Sequence, residues 1–216
     1  MCSSDLGLDE RGPMNSFMAE ILQTSGEHVV LVATAVLAAV VVGAPAAIVL
    51  TVHARTRRWV LGVVNVIQTI PSLALFGVLL PIPLIGGIGK RTAIIVLALY
   101  ALLPIMRNMV VGILGVETGI RDSALAMGMT RQQILWRVEI PLALPTILAG
   151  LRIAIVSTIG TATVAAAIGG GGLGTFMFRG IATADLTTVL AGAVPAAIMA
   201  IIADEVLEWA ERRYSV

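Results

Sequence analysis

The stretch DSALAMGMTRQQILWRVEIPLALP, residues 122–145, is the one long polar interruption in a chain that is otherwise mostly apolar. It begins with the helix formers Ala, Leu and Met, and Gly128 follows where a helix C-terminus favours a left-handed residue. Thr130 and Gln133 then have the capping-box pattern that starts a second helix. That helix is expected to end before Pro141, whose ring disfavours helix in the preceding residue. We therefore predict two short helices bent at Gly128, forming a knob that suits docking into another protein.

The second of these helices places Ile134, Leu135 and Val138 on one face, which predicts an apolar ridge opposite a charged side. Two other interpretations of the segment are a plain polar loop between membrane spans and a DNA-binding helix-turn-helix. The spacing of Ala124, Gly128 and Ile134 is tolerable for the latter motif. A DNA-binding surface should be basic, whereas 14 Lys and Arg here face 13 Asp and Glu, so no nucleic-acid partner is expected.

The composition is that of a membrane protein. Of the 216 residues, 58% are hydrophobic and 12% are charged, and the mean hydropathy is +0.99. Soluble proteins average about 25% charged residues. The single cysteine, Cys2, excludes an intrachain disulfide and a cysteine metal cluster. Two histidines without an HExxH motif leave little material for a metal site, and we expect none.

Five apolar segments are long enough to cross a bilayer core of about 30 Å. The predicted spans are residues 29–52, 59–80, 92–111, 146–168 and 187–203. We therefore expect an all-α polytopic membrane protein with five transmembrane helices. Residues 1–27 are expected to form a disordered or interfacial amino-terminal segment, 28–203 the transmembrane domain, and 204–216 a charged cytoplasmic tail.

The distribution of Lys and Arg predicts the orientation, because cytoplasmic loops carry an excess of them. With residues 122–145 inside, ten such side chains lie on the cytoplasmic side and four outside. The inner ones are Arg55, Arg57, Arg58, Arg107, Arg121, Arg131, Arg137, Arg152, Arg212 and Arg213, and the outer ones are Arg11, Lys90, Arg91 and Arg179. The amino terminus is then outside the cell, and the carboxyl terminus is cytoplasmic.

Polar side chains inside the second span form a candidate translocation path. Asn65, Gln68, Thr69 and Ser72 recur at three- and four-residue steps and share one helical face. Polar groups in a span are costly unless they face a partner or a cavity. They could line the path, with Pro71 loosening the helix for gating, or they could hydrogen-bond to neighbouring helices within a packed bundle.

Hydroxyls on the fourth span could likewise line the path or have a structural role in the bundle. The structural role is expected, because small hydroxyls often bond to their own backbone. These residues are Ser157, Thr158, Thr161 and Thr163. A glycine loop follows, which could be a gating hinge, a close contact with another subunit, or only a connection between spans. Its glycines are Gly169, Gly170, Gly171, Gly172 and Gly174. We expect interfacial positions without a ligand role for His28 and His53, and solvated loop positions for Arg179 and Asp185.

The polar segment resembles the EAA loop of ABC-transporter permeases, which has the spacing Glu-Ala-Ala, three residues, Gly, nine residues, Ile, one residue, Leu-Pro. Here the Glu-Ala-Ala position is held by an Asp-Ser-Ala sequence, the glycine is in register, and a Val-Glu-Ile-Pro sequence closes the motif. The resemblance implies a cytoplasmic coupling loop at residues 112–145 that docks on an ATPase. The residues that carry it are Asp122, Ser123, Ala124, Gly128, Val138, Ile140 and Pro141.

Residues 65–75, 100–108 and 168–174 resemble the osmoprotectant branch of these permeases, which handles glycine betaine, carnitine, choline and related quaternary amines. This implies a MetI-like permease fold that pairs with a second permease, the same chain or a sibling, and with an extracytoplasmic binding protein. ATP and Mg would bind to two partner ATPases, with no cofactor on this chain and no enzymatic activity of its own. Since no aromatic cage for a quaternary ammonium is visible in the sequence, selection of cargo is expected elsewhere.

Other functions remain possible at this level. The permease branch for methionine or other amino acids shares the five-span plan and the coupling loop. A stand-alone channel or carrier would transport without an ATPase, and the charged knob would then have no purpose. An intramembrane enzyme is disfavoured, because no span carries a His/Glu metal set, a Ser–Lys pair or paired Asp residues.

Overall fold

The computed structural model describes residues 13–82 and 86–214, and every regular element among them is a helix. Within these residues, four helices are long and apolar enough to cross a membrane, and a sharply bent helix pair makes a fifth span if it is counted as one. The predicted all-α membrane fold is therefore confirmed. Residues 1–12, part of the predicted disordered start, lie outside the described residues.

The first helix, α1, spans Pro13–Val52. Its 40 residues rise about 60 Å, roughly twice the bilayer core. The segment before residue 28, predicted to be disordered or interfacial, is thus helical from Pro13 onward and continuous with the first span. Gly43 lets α1 approach the fourth helix closely, because an added Cβ there would lie 3.1 Å from Leu102.

The second span is broken rather than straight, which corrects the prediction of one helix at residues 59–80. Helix α2 (Ala54–Thr69) and helix α3 (Ser72–Leu79) meet at an angle of 100°. Ile70 has extended backbone angles (φ −72°, ψ 128°), as expected for a residue before Pro71. The break therefore falls at the predicted proline, but the bend is far larger than the loosening that was expected.

Helix α4 (Lys90–Leu114) is the centre of the bundle, with thirteen of its residues buried. Helix α5 (Thr118–Ala126) and the single turn α6 (Arg131–Ile134) follow it. A π-helical turn at Leu135–Glu139 then leads directly into α7 (Ile140–Val164). Together, the helical residues 131–168 form a 38-residue candidate span.

The prediction that the second loop helix ends before Pro141 is wrong. The wider π turn, in which the Ile140 N–H donates to the Leu135 carbonyl, precedes this proline and lets the helix continue. An ordinary α turn would press the proline ring against the carbonyl four residues earlier and leave that carbonyl without its donor. The loop and the fourth span are consequently one mechanical piece.

A 3₁₀ turn at Ala165–Ile168 ends this piece, and helices α8 (Gly174–Thr183) and α9 (Leu186–Tyr214) complete the chain. The charged segment predicted as a separate tail is the last part of α9 up to Tyr214. Helix α4 packs against α1, α2 and α7, while α9 packs mainly on α7 and α8. Small residues such as Ala35, Ala101 and Ala154, all fully buried, allow this close helix packing.

Candidate functional site

The coupling loop bends at Gly128 in the predicted way. Gly128 has φ +80°, and its N–H donates to the Leu125 carbonyl at 2.9 Å. The Met129 N–H donates to the Ala124 carbonyl at 3.1 Å. This pair of bonds is a Schellman motif, which satisfies carbonyls at the end of α5 and turns the chain sharply.

The start of α6 is also confirmed as predicted. The Thr130 hydroxyl accepts from the Gln133 N–H at 3.3 Å, and the Thr130 N–H donates to the Gln133 side-chain oxygen at 2.8 Å. This reciprocal capping box fixes where the second arm of the loop begins. Both arms are therefore positioned by local interactions that the sequence itself specifies.

The outward surface of the loop differs from the predicted ridge. Ile134 is buried, while Leu135 and Val138 are half-buried, so this ridge faces the chain's own helices. The apolar side chains that project outward are instead Ile120, Leu125, Met127 and Trp136, with Met127 74% exposed. Helix α5 buries only Ala124, so most of it projects from the bundle.

Of the seven residues predicted to contact the ATPase, three lie in α5, Gly128 lies in the bend after it, and the other three lie in the π turn and at the start of α7. The exposed ones are Asp122, Ser123, Gly128 and Pro141, the half-buried ones are Val138 and Ile140, and Ala124 is buried. The Ser123 hydroxyl donates to the Gly119 carbonyl of its own helix at 2.8 Å. The seven positions thus lie in one segment of the chain. Ala124 is buried and contributes to packing, so it is not part of the outer surface.

Sequence reasoning did not single out an ion pair inside the loop. The Arg121 Nε donates to the Glu139 carboxylate at 2.6 Å, and its Nη2 donates to the Ile113 carbonyl at 2.5 Å. Both charged side chains are largely shielded from solvent, with 23% and 17% exposure. Only the opposite charges themselves, on the two arms of the predicted knob, hinted at this pairing.

The predicted path residues separate in the structure. The Gln68 side-chain amide donates to the Tyr100 carbonyl, and the Tyr100 hydroxyl donates to the Ile70 carbonyl, so this pair ties the broken span to α4. Thr69 bonds its own helix at Val66 O, 2.7 Å away. Asn65 and Thr69 are exposed on the outer side of α2. Gln68 thus hydrogen-bonds to a neighbouring helix, which was one of the two predicted roles. Asn65 remains a candidate for the translocation path.

At the break itself, Pro71 is exposed and Ser72 is half-buried at the start of α3. A proline supplies no N–H to the preceding turn, so carbonyls at the end of α2 need other donors. The Tyr100 hydroxyl supplies one of them to Ile70. The bend is therefore held by the neighbouring helix as well as by the proline.

The glycine loop packs tightly against its own chain. Gly169, Gly171 and Gly172 have positive φ angles of 75–78°, which side chains rarely adopt. A Cβ on Gly172 would lie 2.8 Å from the His28 ring, and one on Gly174 would lie 1.9 Å from the Thr163 carbonyl. The glycines are thus needed inside one subunit, and a role as a gate or subunit contact stays a prediction.

His28 is fully buried, which corrects the expected interfacial position. The Leu173 N–H donates to its Nδ1 at 3.3 Å, so Nε2 carries the proton and donates to the Ile159 carbonyl at 3.1 Å. One ring therefore joins α1, α7 and the glycine loop. His53 is exposed, and no three potential metal ligands cluster in the described ranges 13–82 and 86–214.

The fourth-span hydroxyls bond to their own helix, as expected. Ser157, Thr158, Thr161 and Thr163 each donate to a carbonyl three or four residues earlier. This removes the need for partners on other helices. The observed bonds therefore favour a structural role for these side chains.

Arg179, predicted to lie in a loop, is inside α8, while Asp185 lies between α8 and α9; both are exposed, but each has a partner. Arg179 pairs with Glu20 at 3.0 Å and lies over the Phe176 ring, 4.7 Å from its centroid. Asp185 accepts from the Thr188 hydroxyl at 2.5 Å and from a backbone N–H, capping α9. The Thr188 hydrogen bond, followed by the backbone bonds, lowers the pKa of Asp185 below its usual value. These contacts fasten the ends of α1, α8 and α9.

Sequence comparison places the chain among known transport components. Residues 27–216 match the family described as binding-protein-dependent transport system inner membrane component. The choline transport system permease protein OpuBD of Bacillus subtilis is 46% identical over 196 residues, which cover 90% of this chain and 85% of that protein. The glycine betaine/carnitine/choline transport system permease protein OpuCD of the same organism is also 46% identical, with coverages of 90% and 84%.

A third relative is the osmoprotectant import permease protein OsmW of Salmonella typhimurium, 42% identical over 183 residues, with coverages of 84% and 85%. Among solved structures, an inward-facing crystal form of the MetNI methionine ABC transporter superposes with a TM-score of 0.83. It covers 94% of this chain and 99% of the matched chain at 24% identity. At that identity, the likeness shows the fold.

Proposed function

Because this chain belongs to the family of binding-protein-dependent transport system inner membrane components, we propose that it is the permease subunit of an ATP-driven importer for quaternary ammonium osmoprotectants. The observation that carries this proposal is the 46% identity, over 90% of the chain, to permeases whose names specify choline, carnitine and glycine betaine. The MetNI transporter, named for methionine, is 24% identical, and its likeness is one of fold.

The coupling loop is the proposed docking site for a cytoplasmic ATPase, on which ATP and Mg would bind. Its support is geometric: α5 projects from the bundle, buries only Ala124, and presents Leu125 and Met127 outward. Exposed apolar side chains rimmed by polar ones are typical of protein contacts. Asp122 and Ser123, both exposed, supply such a polar rim. In this proposal the partner ATPase hydrolyses ATP, and this chain forms part of the transport path.

The orientation proposed is amino terminus outside and carboxyl terminus cytoplasmic. Lys and Arg are unevenly divided between the two ends of the bundle, which supports it. The end that bears the coupling loop also bears Arg55, Arg57 and Arg58, which immediately follow α1. The other end joins the start of α4 to the glycine loop, since the Gly89 N–H donates to the Ile168 carbonyl at 2.9 Å. A cytoplasmic coupling loop thus agrees with the positive-inside tendency.

A second permease, the same chain or a sibling, would cover the outer side of α2. Asn65 is exposed there beside Val63 and Val66, which are 57% and 61% exposed. An amide facing lipid within a span is costly, whereas one facing a partner or an aqueous path is not. We place the translocation path at this face, with the broken span at Pro71 as its movable part.

Selection of cargo is assigned to an extracytoplasmic binding protein. Quaternary ammonium groups are held by open aromatic faces. In the part of the chain that the structure describes, Phe17 and Phe176 contact each other edge to face at 5.8 Å, and Arg179 covers the second ring. This pair therefore offers no open cage for a cargo cation.

The test is uptake by the complete importer in liposomes that contain ATP, with labelled choline, glycine betaine, carnitine and methionine as separate probes. Import of one or more quaternary amines that requires both ATP and the binding protein would support the proposal. Import of methionine alone, or import that persists without the ATPase, would contradict it. An ATPase variant that cannot hydrolyse ATP is the matched control.

A further inference from the structure

The attachment of α5 to the membrane helices depends on few contacts. Of its nine residues, only Ala124 is buried, so hydrophobic packing alone holds it weakly. The Arg121 guanidinium supplies the other strong contact, through its hydrogen bonds to Glu139 and to the Ile113 carbonyl. Arg121 therefore supplies the polar side-chain contact between α5 and the bundle, in addition to the short backbone links at residues 115–117 and 127–130.

These two acceptors belong to different spans. Ile113 is in the last turn of α4, where helix carbonyls lack intrahelical donors, and Arg121 satisfies one of them. Glu139 ends the π turn that continues without interruption into α7. One guanidinium thus connects the coupling helix to the cytoplasmic ends of two membrane helices at once.

Arginine suits this position for a geometric reason. Its planar fork holds several N–H donors in a fixed arrangement, so two acceptors on different elements can be engaged together. A lysine ammonium is a single charge on a flexible stem and would not hold both in the same geometry. The 17% exposure of Glu139 also means that its charge is poorly solvated when the partner is removed.

We propose that Arg121 and Glu139 are positioning residues that transmit movement of the coupling helix to α4 and α7, so that ATPase closure moves both spans together. This inference rests on the proposed function, since it presumes that α5 receives its movement from an ATPase. It adds the residues that carry the movement onward, which lie behind the docking surface rather than on it.

The experiment measures labelled choline and glycine betaine imported per ATP hydrolysed, using the complete importer in liposomes. Arg121→Ala and Glu139→Gln are each expected to lower this ratio by about tenfold or more, which is a typical size for coupling between sites. Both variants should co-purify with the ATPase in the wild-type ratio and keep its basal hydrolysis. Arg121→Lys should fall between them and the wild type.

The double variant R121A/E139Q shows whether the two residues act as one unit. Its loss is expected to be no larger than either single loss, because removing both charges leaves none unpaired. Arg212→Ala is the matched control, since Arg212 pairs with Glu208 one turn away within α9 and is 78% exposed. It should leave the ratio unchanged.

Three results would overturn the inference. They are a wild-type ratio in Arg121→Ala, single losses that multiply in the double variant, and loss of ATPase co-purification, which would show that the pair only supports docking. If wild-type liposomes import none of choline, glycine betaine and carnitine with ATP, the proposed function itself fails, and that outcome is separate from these three.

Discussion

Replacing Gly128 by proline is expected to abolish uptake while membrane insertion stays normal. Gly128 holds φ +80°, and its N–H bonds to the Leu125 carbonyl. Proline fixes φ near −65° and has no N–H, so both features of the bend are lost. Without the bend, α5 cannot keep its position relative to α6.

The magnitude can be worked out from the alanine variant of the same glycine. A Cβ added at Gly128 meets nothing within 4 Å, so the cost of Gly128→Ala is the backbone conformation alone. A left-handed alanine costs about 1–2 kcal/mol, which lowers the ratio of bent to unbent loops roughly 5- to 30-fold. Proline cannot adopt φ +80° at all, because its ring fixes φ near −65°, and it also loses the hydrogen bond, which is worth about 0.5–1.5 kcal/mol. Uptake should therefore decrease in the order glycine, alanine, proline, with asparagine near glycine because it tolerates φ > 0.

The assay is initial uptake in cells, normalised to the permease in the membrane fraction. Gly119→Ala is the matched control, because Gly119 lies inside α5, where an added Cβ has only an ordinary contact at 3.8 Å. It should leave uptake unchanged, since alanine favours helix by up to about 1 kcal/mol. Wild-type uptake by a well-inserted Gly128→Pro protein would show that transport does not depend on the bend at Gly128.

Three further substitutions test how the loop's supporting bundle is held, each by thermal unfolding of the detergent-purified protein. His28→Leu should destabilise it by about 2–4 kcal/mol, because a buried N–H and a buried carbonyl each lose their partner, and an unchanged midpoint would contradict the observed bridge. Tyr100→Phe should cost about 1–3 kcal/mol by leaving the Ile70 carbonyl unpaired, and wild-type stability would show that the hydroxyl does not hold the break. Gly174→Ala should cost about 1–3 kcal/mol or more from overpacking, while Gly160→Ala, where a Cβ meets nothing within 4 Å, should not; equal midpoints for the two would refute the packing account.

The loop bend and the start of its second helix could be predicted because both follow from local rules. Gly128 and Thr130 act on backbone groups within five residues of themselves, so the sequence contains everything needed. Pro141 misled the prediction, since a proline is expected to end a helix, and the π turn that accommodates it has no comparable sequence rule. The helix predicted to end before Pro141 therefore continues into α7.

Contacts between distant parts of the chain could not be predicted in the same way. His28 bonds to residues 131 and 145 positions away, and a lone histidine near a span end gives no sign of such partners. At Pro71 the sequence predicts only a loosened helix, and the Tyr100 hydroxyl that bonds to the Ile70 carbonyl at the observed break lies thirty positions away. Tertiary packing decided these features, and single-sequence patterns do not encode it.

Cross-linking at Met127 shows whether the coupling loop meets an ATPase in the cytoplasm. In a Cys2→Ser background, which removes the chain's single cysteine, Met127→Cys places a thiol at a 74% exposed position on the loop. Ile88→Cys, at an 84% exposed position on the opposite end of the bundle, is the control. We predict that a thiol-to-amine cross-linker joins Met127→Cys to the ATPase in intact importer and leaves Ile88→Cys unlinked to it. A Met127→Cys thiol that reacts with an impermeant reagent outside the cell, and never links to the ATPase, would contradict the account.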